Sequence, residues 1–310
     1  MKRTLIVAAI ATLATGAALA QSSVTLYGRL NLTMERMDNR GVKSSVLNNN
    51  ASRLGFKGTE DLGGGLKAGF ALEAGVSPDT GATGAPFFGR QSEVNLGGGF
   101  GTLRLGNFFS EAYFATSDYI GMHNHETGTS SDALYAYIGR NTNKIAYRTP
   151  EFVKGLSMEA AVSLGEGGGR VRNYDFAVNY GAGPLHLGLG YEKAGAAKQF
   201  AVSGLYEFGS FILGGMVQRD SDAYGPGNRT NVRVSGAYLL GASEFHLNVG
   251  RAGDYSKLSN SAATQATLGY NYNLSKRTKV YSYYTKVNAN SATPYASDLS
   301  SLALGVRHNF

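Results

Sequence analysis

In many segments between residues 23 and 310, apolar side chains recur at every second position. That period belongs to strands with two unlike faces, not to helices. Val232, Val234, Tyr238 and Leu240 share one parity, and Arg233, Ser235 and Ala237 take the other. Leu302, Leu304, Val306 and Phe310 alternate with Ser301, Ala303, Gly305, Arg307 and Asn309. Leu185, Leu187, Leu189 and Tyr191 alternate with His186, Gly188, Gly190 and Glu192. A membrane-spanning helix needs about 18 consecutive apolar residues. Beyond the N-terminus the best candidate, 200–218, contains Glu207 and four glycines. The chain is therefore either a soluble β-protein or a β-barrel.

Composition narrows this further. Only 16% of residues are charged, while 34 are Tyr or Phe; soluble proteins carry about 25% charged residues. The 43 glycines come with only 6 prolines, so the excess is neither collagen-like nor a linker. Zero cysteines exclude disulfides, thiolate metal sites and cysteine nucleophiles.

The N-terminus reads as an export signal. Lys2 and Arg3 precede an apolar stretch from Leu5 to Leu13, and Ala18-Leu19-Ala20 is an A-x-A cleavage pattern. Residues 1–20 are expected to be removed, leaving 21–310 as one domain. Cleavage takes two positive charges from the formal net charge of +7, leaving +5. An exported chain with that modest excess is not read as a nucleic-acid binder.

Sixteen segments carry strand patterning: 23–37, 51–60, 66–77, 86–97, 101–108, 140–149, 156–166, 170–182, 184–193, 198–208, 210–220, 228–241, 243–252, 262–274, 278–288 and 298–310. Connections at 63–65, 97–99, 183–184 and 275–276 are tight; those near 38–50, 109–139, 220–228, 252–261 and 288–297 are longer. Short turns alternating with long loops fit a transmembrane barrel. A strand of about ten residues, tilted near 40°, spans about 25 Å, the height of the apolar band of such barrels. Sixteen strands leave a water-filled lumen, where glycine needs no side chain to fill a core. Tyr206, Phe208, Tyr270, Tyr272, Tyr281, Tyr283, Tyr284 and Phe310 lie near strand ends and are expected to form interfacial girdles. The fold class is all-β: a 16-stranded antiparallel transmembrane barrel.

Several motifs also carry a family resemblance. Ser22-Ser23-Val24-Thr25-Leu26-Tyr27-Gly28 follows the cleavage pattern directly, and 52–63 reads SRLGFKGTEDLG. Gly99-Phe100-Gly101-Thr102-Leu103-Arg104-Leu105-Gly106, then Asn143 to Tyr147 with Thr149-Pro150-Glu151-Phe152, follow. Leu274-Ser275-Lys276-Arg277-Thr278 and Gly305-Val306-Arg307-His308-Asn309-Phe310 complete the set. Together these span most of 22–310, and the chain resembles the trimeric outer-membrane porins of β-proteobacteria. The resemblance implies a homotrimer in the outer membrane, surrounded by lipid and lipopolysaccharide. It implies a channel for ions and small hydrophilic solutes, without a cofactor. It also implies that the third loop bends into the lumen as a constriction, and that terminal Phe310 is read by the insertion machinery. The chain departs from the family at Asn31, where Asp is usual, and at Asn107, where Arg is usual.

Strand parity assigns charges to the lumen, because a charge facing mid-bilayer costs roughly 2–4 kcal/mol. If Leu54 and Phe56 face lipid, Arg53 and Lys57 face inward. The same reasoning sends Arg29, Lys67, Arg104, Arg233 and Arg307 inward, with Lys144 and Arg148 sharing a face with Arg140. Inward acids are Glu35, Glu73, Glu93, Glu159, Asp175, Glu192, Glu207 and Glu244. Arg90 has the outward parity of Val94 and Leu96 unless it lies above the apolar belt or beyond a bulge. The 109–139 stretch carries Glu111, Asp118, Glu126 and Asp132 opposite this basic wall. Opposed charges at a narrow point set ion preference. The resemblance places the constriction at Arg53, Arg90 and Arg140, with Glu73 and a loop acid such as Asp118. The basic wall favours anions.

Chemistry of other kinds has little support. His123-Asn124-His125-Glu126 is the one cluster suggesting metal, and it lacks a third ligand at fixed spacing. The expectation is no metal, no cofactor and no catalysis. Besides a porin, a non-conducting structural or adhesive barrel remains open, as does an outer-membrane enzyme acting through its loops.

Overall fold

The computed structural model describes residues 23–118, 120–121, 133–167 and 170–310. The expected signal segment and His123, His125, Glu126 and Asp132 lie outside the described residues. The first strands are β1 (Ser23–Asn39), β2 (Val42–Asn49), β3 (Arg53–Gly63), β4 (Leu66–Ser77) and β5 (Ala82–Thr83). There follow β6 (Gln91–Gly98), β7 (Gly101–Asn107), β8 (Lys144–Arg148) and β9 (Leu156–Ser163). The chain continues through β10 (Asn173–Ala182), β11 (Leu185–Ala194), β12 (Ala197–Phe208), β13 (Phe211–Ser221) and β14 (Asn228–Leu240). It finishes with β15 (Ser243–Ala252), β16 (Ala263–Asn273), β17 (Thr278–Ala289) and β18 (Leu299–Asn309). The long connection between β7 and β8 carries a short helix, α1 (Glu111–Tyr113), running into a π-helical turn at Phe114–Asp118.

Each strand pairs antiparallel with its sequence neighbour, and β1 pairs with β18 to close the ring. Two elements are not separate staves. β2 and β3 pair with the upper and lower halves of β1 and form one strand interrupted at 50–52. β5 is a two-residue clip on the end of β4. The barrel thus has sixteen staves.

The burial pattern follows the pleat. β14 alternates strictly from Asn228 to Ala237, with Val232 and Val234 exposed and Arg229, Asn231, Arg233 and Ser235 buried. An exposed apolar face with a polar inner face is the reverse of a soluble core and suits lipid outside and water inside. Inside the outer belt, Tyr206, Phe208, Phe211, Tyr238, Phe245 and Tyr270 form an unbroken run of ring contacts, with centroids 4.8–6.4 Å apart. This is the expected girdle at the turn end. Tyr281 and Tyr283 do not belong to it. Both are buried on the inner face, donating to Asn31 Oδ1 (2.6 Å) and Glu35 Oε1 (2.9 Å). Their neighbour Tyr284 faces outward.

Several wall glycines receive rings rather than merely leaving the lumen empty. A Cβ on Gly55 would overlap the Tyr27 ring, one on Gly305 the Tyr281 ring, and one on Gly28 the Phe310 ring. At the last of these the backbone also pairs: Gly28 N donates to Phe310 O (3.0 Å), and Phe310 N donates to Gly28 O (3.1 Å).

The structure corrects three local expectations. The 38–50 stretch is not a loop but a tight turn at Arg40–Gly41 followed by β2. β6 begins at Gln91, so Arg90 precedes the strand and its parity carries no direction. β8 begins at Lys144, so Arg140 is not on its face. The lumen is also less empty than glycine content suggests: Ile120, Tyr135, Leu205, Met216 and Ala201 make an apolar cluster inside it.

Candidate functional site

The site begins with the described residues between β7 and β8, 108–118 and 133–143, which lie against the inner wall. Ser110 caps α1, its Oγ accepting from Ala112 N at 3.2 Å, an N-cap geometry. The wall beneath is cut away by glycine. A Cβ on Gly190 would lie 2.7 Å from the Ala112 carbonyl oxygen, and one on Gly188 would overlap the Ala115 carbonyl oxygen. Ser203 of β12 donates to that Ala115 oxygen at 2.9 Å. Small residues Ala112, Ala115 and Thr116 are therefore buried on the wall side.

Charge fastens the same helix. Arg148 reaches Glu111 (2.5 Å) and Glu159 (2.9 Å), while Arg104 bridges Glu93 and Glu159, each at 2.8 Å. Asn179 donates to the other oxygen of Glu111. Lys144 pairs with Asp175 at 2.9 Å. Burial pushes the Glu111 carboxyl above the usual range, against the pull of Arg148. Glu111, expected opposite a basic wall, turns to that wall, where Arg148 and Asn179 hold it.

The return leg of the loop is held by uncharged side chains and one buried ion pair. Gln218 accepts from Ala136 N (2.8 Å) and donates to Ala136 O (3.1 Å). Tyr224 does the same for Tyr137, both at 3.0 Å. Arg229 and Asn231 both donate to Leu134 O at 3.1 Å. Arg229 Nε also meets Asp220 at 2.8 Å, with both side chains fully buried. Tyr255 donates to the second Asp220 oxygen (2.7 Å), and the Tyr295 ring lies 4.0 Å from the guanidinium. Burial and the bond to Asp220 push the Tyr255 hydroxyl pKa upward.

Across from the loop, the structure brings together Arg53, Arg90 and Glu73. Arg90 Nε donates to Glu73 Oε1 at 2.7 Å, and Arg53 Nη1 lies 3.8 Å from the same oxygen. Arg90 thus faces inward, and its guanidinium stands 5.9 Å from the Phe109 ring of the loop. Arg29 pairs across the sheet with Arg53, and Arg307 with Lys279, so basic residues line neighbouring staves of this wall. Lys57 lies 5.4 Å from the Tyr27 ring.

Arg140 is not in this group. Its Nη2 donates to the carbonyls of Ser163, Leu164 and Val171, each at 2.9 Å. Asp118 ends the π-helical turn, half-buried. Asn107, where the family usually has Arg, donates to Gly89 O (2.9 Å) and ties the connection after β5 to the wall. Sequence reading missed Gly188, Gly190, Gln218, Tyr224 and Arg229 as the loop's seat. Two glycines sharing the inward parity of β11 were the available signal.

A closed barrel with an apolar exterior, a polar lumen and a loop anchored inside that lumen defines a transmembrane diffusion channel. The chain belongs to the Gram-negative porin family, whose description matches residues 6–292. It is 35% identical to outer membrane porin protein 32 of Delftia acidovorans, over 91% of this chain and 88% of that one. It is 28% identical to an outer membrane porin protein of Bordetella pertussis along the whole of both chains. The solved anion-selective porin from Comamonas acidovorans superposes with a TM-score of 0.76 at 28% identity, covering 94% of this chain and 100% of that one. The protein is an outer-membrane porin for passive diffusion of ions and small solutes.

Proposed function

We propose that this porin prefers anions and that Arg53, Arg90 and Glu73 form one side of its constriction, with the docked residues 108–118 and 133–143 as the other. The observation that carries this is the convergence of Arg53 and Arg90 on the single Glu73 oxygen, with Arg90 beside Phe109 of the loop. Among the described residues two guanidiniums share one carboxylate oxygen, and a low-dielectric wall focuses their field into the passage. Asp118 belongs to the loop side of the same constriction. Arg29, Lys57, Arg104, Lys144 and Arg148 line the wall around it, the last three mainly as partners of carboxylates. The anion selectivity of the similar Comamonas acidovorans porin supports the same sign.

The working form is a homotrimer in outer-membrane lipid and lipopolysaccharide, made after cleavage behind Ala20, with Phe310 as the insertion signal. Family membership supports the assembly, and the Ala18-Leu19-Ala20 pattern supports the cleavage. Reversal potential in a KCl gradient across a planar bilayer tests the selectivity. A potential of anionic sign, reduced in Arg53→Gln/Arg90→Gln, is expected; a cationic sign overturns the reading. A folded barrel with no conductance would instead indicate a structural envelope protein.

A further inference from the structure

Among the described residues, the loop turns a run of aromatic rings away from the wall. Ala112, Ala115 and Thr116 are buried toward the wall, while Phe109 and Tyr113 are half-buried and Phe114 is 40% exposed. The rings touch one another: Phe109–Phe114 at 6.0 Å, Tyr113–Phe114 at 5.7 Å and Tyr113–Tyr137 at 5.6 Å. On the outer surface such rings would meet lipid. Inside the barrel they meet water, which gives them no stabilisation of their own. The ridge ends at Phe109, against the Arg90 guanidinium.

We propose that this ridge and Arg90 together form a subsite for aromatic carboxylate anions of the benzoate type. The ridge offers ring edges and faces to a planar apolar body. Arg90 and Arg53 offer positive potential to a carboxylate head and disfavour a cationic one, while Glu73 holds the two guanidiniums in place. An aliphatic anion uses only the second half of the site, and a neutral arene only the first. This deepens the constriction reading above and rests on it for the attraction of the head group.

The test is inhibition of KCl current through reconstituted channels by benzoate, cyclohexanecarboxylate and acetate. The first two have similar apolar bulk and charge, and only benzoate is aromatic. Benzoate is expected to act reversibly at roughly tenfold lower concentration than cyclohexanecarboxylate, with acetate weaker than both. In Phe109→Leu/Phe114→Leu, verified as folded by heat-modifiable gel mobility, the benzoate advantage should vanish. Equal action of the two ring compounds on the unaltered channel overturns the proposal, as does an advantage that survives the double substitution. A normal anionic reversal potential without benzoate discrimination rejects this subsite alone. Benzoate discrimination with no KCl reversal potential rejects the anion-preference reading alone.

Discussion

Gly190 of β11 lies directly beneath the Ala112 carbonyl of α1, where a Cβ would come within 2.7 Å of the oxygen. With Gly188 under Ala115, it forms a flat floor on which the constriction loop rests. In Gly188→Val the added bulk collides with backbone, which cannot rotate away as a side chain can. Overpacking of this kind costs about 1–3 kcal/mol. The loop should lift while the barrel stays closed. Single-channel conductance and current noise are expected to rise, with heat-modifiable gel mobility unchanged.

Asp220 and Arg229 make a fully buried pair beneath Tyr255 and Tyr295. Removing one charge strands the other, at a cost of about 3–5 kcal/mol, whereas apolar replacement of both can be close to neutral. Arg229→Met should therefore lower the denaturation midpoint in detergent substantially. Asp220→Leu/Arg229→Met should recover part of that loss. A double variant no better than the single would refute the stranded-charge explanation.

The three arginines expected at the constriction separate by experiment. Arg53→Gln/Arg90→Gln should reduce the reversal potential of anionic sign. Arg140→Gln should leave selectivity nearly intact, because its guanidinium is spent on the carbonyls of Ser163, Leu164 and Val171. Its effect should appear as about 1–3 kcal/mol of lost stability. Equal selectivity effects from both variants would contradict this division.

Burial raises the Glu111 pKa in the folded loop. A raised folded pKa contributes stability that is complete at low pH and is lost as pH rises through the folded value. Mild acid therefore neutralises Glu111 without driving the loop from the wall. Above the ordinary carboxylate range, acidification should raise anion over cation permeability by removing one negative charge near the constriction. Comparing reversal potentials of the unaltered channel and Glu111→Gln isolates this step. Identical pH profiles would show that Glu111 is not its source.

Strand order and faces were legible because a stave between lipid and water must alternate, as Val232 and Val234 do against Arg233 and Ser235. β2 escaped notice because Val42, Val46 and Leu47 of Val42–Asn49 fall on both parities and show no alternation. Arg90 and Arg140 misled because parity has meaning only inside a strand, and each lies just outside one. Arg53 and Glu73 lie within strands, and their facing was read correctly. The loop's orientation, with Glu111 to the wall and Phe114 away from it, was not legible. A three-residue helix and a five-residue π-turn are too short to show a period. What orients them is a wall built from residues 148 to 218.

The pairing of Gly28 with Phe310 has a consequence for how the molecule is made. The first stave finds its second neighbour only at the far terminus of the chain. Until the last residue arrives, the sheet has two open edges, each a row of unpaired amides and carbonyls inviting foreign strands. Joining residues nearly three hundred positions apart is also the costliest closure in loop entropy. Such a chain cannot complete itself while emerging from a ribosome or crossing a membrane. It must travel open and shielded, and the ladder between β1 and β18 is the seam along which the cylinder is buttoned shut.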